Sequence, residues 1–109
     1  MNLADLKKKT GYTEAVKGDD GAEIKDAYTG DLLSDVMANA PSDSALITIQ
    51  GHKNTVAVAS LAGIKVIILC NGRQAPADMA ESAENEGIAV LLTKENQFRV
   101  SSRLYELLS

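Results

Sequence analysis

The chain has 109 residues, enough for one hydrophobic core and too few for two. Its 11 Lys and Arg stand against 15 Asp and Glu, and the net charge of −4 argues against a general nucleic-acid coat. A single Cys excludes an internal disulfide or a cysteine-cluster metal site, and a single His excludes any centre that needs two, such as an HExxH zinc site.

Aromatic residues make up only 4% of the chain, with no Trp, so the core has to be built from Ala, Val, Ile and Leu. The start, Met1 to Lys9, places its charges after its apolar residues and lacks the apolar stretch of a signal peptide. The longest apolar run, Val66 to Cys70, is far below the ~20 residues of a membrane helix. Cys70, a lone thiol at the end of an apolar run, suits a reducing compartment, and the expectation is a cytoplasmic protein without a membrane or nucleic-acid partner.

The pattern divides one domain, residues 1–109, into a head (1–28) and a repetitive body (29–109). In the head, a short helix over Leu3 to Lys9 is closed by Gly11, and a strand is expected over Tyr12 to Lys17. Gly18-Asp19-Asp20-Gly21 is a turn, and Ala22 to Tyr28 reads as a second strand anchored by Ile24. The body opens with a helix over Asp31 to Ala40, whose apolar face is Leu32, Leu33, Val36, Met37 and Ala40, stopped by Pro41. Ala45 to Ile49 is a strand. A small-residue helix starting at Asn54 or Thr55 runs to Ala62 and stops at Gly63. Ile64 to Cys70 is aliphatic apart from Lys65, as expected of a parallel strand covered on both faces. After Pro76 comes a helix over Ala77 to Glu86 with Met79, Ala80 and Ala83 inward, ended by Gly87. Ile88 to Leu92 is the next strand. Asn96 to Leu108 is the last helix, with Val100, Leu104, Leu107 and Leu108 as its inner stripe. Repeated strand–helix units predict an α/β domain, in two or three layers, with a mainly parallel sheet and right-handed crossovers.

Ligands of open parallel sheets bind beyond the carboxyl ends of the strands. Those ends are Gln50-Gly51-His52-Lys53-Asn54, Asn71-Gly72-Arg73-Gln74-Ala75 and Thr93-Lys94-Glu95, each with one cation and each preceding a helix. Helix N-termini favour anions, and Gly51 and Gly72 let the backbone approach a ligand, so this edge suits a phosphate or carboxylate. The candidate binding residues are therefore Gln50, Gly51, His52, Lys53, Asn54, Asn71, Gly72, Arg73, Thr93 and Lys94. No standard nucleotide loop is present, so a nucleotide is one possible anion among others and no cofactor is demanded.

His52 is of the right type for a general base, but no partner that would orient it can be named. Asp31 and Asp35, one helical turn apart, would share a face able to bind Mg²⁺ through water, although an acid near a helix start more often serves as a cap. Ser34 lacks the turn of a nucleophile, and Cys70 reads as an inert core thiol. Lys7-Lys8-Lys9 reads as a solvated face. No catalytic or metal-ligating residue is assigned. A small hydrolase or phosphotransfer enzyme would need His52 to converge with Asp31 or Asp35.

Tyr28-Thr29-Gly30-Asp31-Leu32-Leu33-Ser34-Asp35-Val36-Met37-Ala38-Asn39-Ala40 resembles the Gly-Asp-Leu-Leu-Ser-Asp-Val-Met-Ala-Asn stretch of small stand-alone DRTGG-domain proteins. The order of later elements is similar too, over nearly the whole chain and least over 1–25. The eponymous Asp-Arg-Thr-Gly-Gly string is absent; its Asp-Arg part falls at His52-Lys53, which keeps a cation and loses the acid. The resemblance implies a non-catalytic regulatory or sensory domain. In larger proteins of the family such domains accompany phosphotransacetylases and nucleotide-binding CBS-domain pyrophosphatases. Short versions resemble proteins encoded beside hydrogenase and NADH-oxidising subunits, which implies an accessory role in a redox or signalling complex as an alternative. A homodimer is expected, joined through the small-residue face of helix 55–62 or the Leu32/Val36 face, because so small a chain buries only about two-thirds of its unfolded surface.

Overall fold

The aliphatic runs dictate the centre of the molecule. In the computed structural model, which describes residues 1–109, they form adjacent parallel strands β3 (Ser44–Thr48), β4 (Val66–Leu69) and β5 (Ala89–Leu92). Nearly every residue of these strands is buried, because helices cover both faces. The head supplies the two edges. β2 (Asp26–Thr29) pairs parallel with β3, and β1 (Thr13–Val16) pairs antiparallel with β5, giving the order β1-β5-β4-β3-β2.

Three layers result. Leu46, Ile67, Leu69 and Val90 face α2 (Leu33–Asn39), α3 (Lys53–Ala62) and α4 (Ala77–Glu86). Ala45, Ile47, Val66, Ile68 and Leu91 face α1 (Leu3–Thr10) and α5 (Gln97–Leu108) on the opposite side. Period-two alternation along each strand feeds both cores.

Several boundaries differ from the sequence reading. β2 begins at Asp26 rather than Ala22. Ile24 is fully buried as expected, yet it is held outside the strand by its N–H donating to the Met1 carbonyl. α2 begins at Leu33, and of its expected apolar face only Val36 is buried; Leu32 is 68% and Met37 48% exposed. A seven-residue helix with Leu32 outside it turns too little surface inward to cover more. α3 starts at Lys53, before Asn54, because His52 caps it. Part of each surface expected to join a dimer packs inside the protomer, Val56, Val58 and Ala59 of α3 and Val36 of α2 belonging to the core, while Leu61 and Leu32 stay exposed. No helix is long and apolar enough to cross a membrane.

Candidate functional site

Parallel pairing of β2 to β5 brings the three cationic loops to one edge, but not to one point. α2, α3 and α4 all lie on one face, so the exits of β2, β3 and β4 turn the same way. The exit of β5 turns the other way, into α5. Adjacent loops that diverge to opposite layers leave a crevice between them, the usual ligand position in open α/β sheets. Here it is a cleft of about 260 Å³ lined by Thr13, Gly72, Arg73, Gln74, Leu92, Thr93 and Lys94.

The floor of the cleft is rigidly built. Asn71 and Gly72 have φ of 61° and 70°, and Arg73 N–H donates to the Cys70 carbonyl, so the β4 exit is a tight turn with both central residues left-handed. Asn-Gly tolerates that geometry at low cost. The Asn71 and Gly72 N–H groups donate to the Glu95 and Thr93 carbonyls, stitching the two divergent exits together. Arg73 and Lys94 are exposed and form no ion pair, whereas Lys7, Lys25, Lys65 and Arg103 all do.

The remaining candidates separate from the cleft. Gly51 backs onto it: a Cβ there would stand 2.8 Å from the Gln74 carbonyl oxygen. His52 Nδ1 accepts from the Asn54 N–H at 3.3 Å as the α3 cap, and the Thr55 hydroxyl donates to the Gln50 carbonyl. Lys53 lies instead beside Asp78 and Glu81 of α4. The α5 N-terminus is likewise capped by its own chain, Asn96 Oδ1 accepting from the Arg99 N–H. α4 begins without a side-chain cap, at Pro76, directly after the β4 exit, as α2 does at Leu32 after the β2 exit.

Asp31 was expected to cap a helix or share a face with Asp35; it does neither. Its Oδ1 accepts from the Thr48 hydroxyl at 2.8 Å and the Ile49 N–H at 2.9 Å, and Gln97 Nε2 donates to both carboxylate oxygens. Gln50 Nε2 donates to the Asp31 carbonyl. Burial alone would raise the pKa of Asp31, but the Ile49, Thr48 and Gln97 donors, with the Arg73 charge nearby, hold it below the ordinary carboxylate value. Asp35 points elsewhere, accepting from the Tyr28 hydroxyl at 2.6 Å and from Asn39. His52 forms no hydrogen bond with either acid, and no group of His, Cys, Asp or Glu has a metal-binding arrangement.

A second network secures the β5 exit. Glu95 accepts from the Tyr12 hydroxyl and from Arg103, both at 2.7 Å, and these partners hold its pKa below the usual range. Cys70, under the same edge, is fully buried; desolvation, with the carboxylates of Asp31 and Glu95, raises its thiol to about 11, so it is inert.

Thr13, Gln74, Leu92 and Gln97 were absent from the sequence-based site. Thr13 joins the cleft only because β1 pairs antiparallel with β5, and Gln97 is tied to Asp31 across most of the chain's length; neither link leaves a local pattern. No protein-family model matches the chain, and no curated protein sequence matches it.

Proposed function

We propose that the protein is a non-catalytic sensory domain that binds an anionic small molecule, a nucleotide or phosphorylated metabolite, through its phosphate at the cleft between the β4 and β5 exits. The observation that carries this reading is the crevice itself, where two unpaired cations, Arg73 and Lys94, flank a tight left-handed turn. Its volume of about 260 Å³ suits one anionic group, with the rest of the ligand outside. Hydroxyl and amide groups of Thr13, Gln74 and Thr93 add neutral donors. The resemblance to stand-alone DRTGG-domain proteins supports a regulatory role. The buried, unreactive Cys70 supports a reducing, cytoplasmic setting.

A thermal-shift and calorimetric series with inorganic phosphate, nucleoside mono- to triphosphates and sugar phosphates tests the reading. A ligand at one hundred times its Kd stabilises by about 2.7 kcal/mol, which for a domain of this size raises Tm by roughly 10 °C. Arg73→Ala and Lys94→Ala should each weaken binding about tenfold. Absence of binding by every anion favours an accessory subunit without a small ligand, and binding unchanged in the double variant moves the site elsewhere; either outcome overturns the proposal.

A further inference from the structure

We propose that two copies of this chain associate through the outer face of α5, antiparallel about a two-fold axis. The aromatic residues of the chain are three Tyr and one Phe. Two of them, Phe98 and Tyr105, are each 77% exposed on α5. They stand two helical turns apart on one stripe, opposite the Val100 and Leu104 stripe that packs on the sheet. Large aromatics left in water on one helix face are the composition of an interface core. Ser102 lies between them and is small enough for two helices to approach closely.

The charges beside this stripe identify the occupant. Arg99 and Glu106 are also two turns apart, on one flank of it, and neither forms an ion pair within the protomer. A two-fold axis perpendicular to α5 near Ser102 sets each flank against its own copy with the direction reversed. Arg99 then meets Glu106 of the second copy, and Glu106 meets its Arg99, while Phe98 meets Tyr105 twice. The surface is thus complementary to itself, as an isologous dimer requires. A parallel pairing would set the charged flank against Gln97, Ser101 and Leu108, leaving both charges unmatched. On the other flank of α5, a groove of about 310 Å³ beside β2 is lined by Lys25, Asp26, Ile47, Tyr105 and Leu108 among others.

Sedimentation velocity and light scattering on the full chain across micromolar concentrations test the proposal, with the expectation of a species of twice 11.5 kDa. Phe98→Ala with Tyr105→Ala should raise the dimer dissociation constant about tenfold or more. Arg99→Glu places like charges together and should weaken the dimer about tenfold; Glu106→Arg should do the same. The double exchange, Arg99→Glu with Glu106→Arg, should restore association, because the reversed pair is again complementary. Circular dichroism of each dilute variant confirms that the fold is kept, as expected for exposed positions. A monomer at every concentration overturns the proposal, as does a dimer indifferent to these substitutions or one the double exchange fails to rescue. Because α5 and the anion cleft are probed by different variants, failure of one leaves the other standing.

Discussion

Asp31 is the residue on which the carboxyl edge depends. It draws together the exit of β2, the end of β3 and the first residue of α5, elements that meet only in the folded chain. Asp31→Ala leaves the Ile49 N–H, the Thr48 hydroxyl and the Gln97 amide without their acceptor, and should cost roughly 2–4 kcal/mol in chemical denaturation. Asp31→Asn should cost less, since its amide oxygen can still accept from Ile49 and Thr48. The lowered pKa also fixes a pH dependence. A carboxyl that holds its proton less tightly when folded stabilises above its unfolded pKa, and the benefit fades as pH falls through its folded value. Wild-type stability should therefore decline below about pH 4 more steeply than that of Asp31→Asn. Asp31 lies beside the Gly30 and Asp35 that mark the start of a helix pattern, so its sequence neighbours suggest a cap. Its true partners, Thr48 and Gln97, leave no trace near it.

At the scale of elements, the exits of β3 and β4 come too close at Gly51 to admit a side chain there. A methyl group there would clash with the Gln74 carbonyl, which is backbone and yields only by moving the 71–75 turn. Gly51→Ala should destabilise by about 1–3 kcal/mol and displace that turn, so calorimetry should show weaker anion binding without loss of either cation. The aliphatic strands were legible because burial on both faces leaves no room for polar alternation, and α3, α4 and α5 were legible through their glycine or asparagine boundaries. β2 was overextended because Ile24 looks like a strand anchor, while its burial comes from packing with Leu3 and Leu6. The parallel edge was foreseen, but not its division. Charge spacing along the chain cannot tell that α4 draws Lys53 away while the opposed turns of β4 and β5 bring Arg73 and Lys94 together. The His52 cap was missed because helix caps are sought among Ser, Thr, Asp and Asn.

Across the whole molecule, β2, β3, β4 and β5 sit side by side in the order in which they occur in the chain, each joined to the next by one helix. β1 alone pairs with a strand from the far end of the sequence, in the reverse sense and through an irregular register between Glu14 and Val16. Pairing across so long a loop is costly in chain entropy, and a short, half-covered edge strand offers little in return. Amide hydrogens of residues 13–16 should therefore exchange with deuterium well before those of β3 and β4, a difference that mass spectrometry resolves by segment. Thr13 nevertheless forms part of the cleft wall. One side of the proposed site is thus hung on the strand most easily shed, so phosphate bound in the cleft should slow exchange at 13–16 more than anywhere in the sheet interior. Occupancy would then be legible as the tightening of an otherwise loose margin.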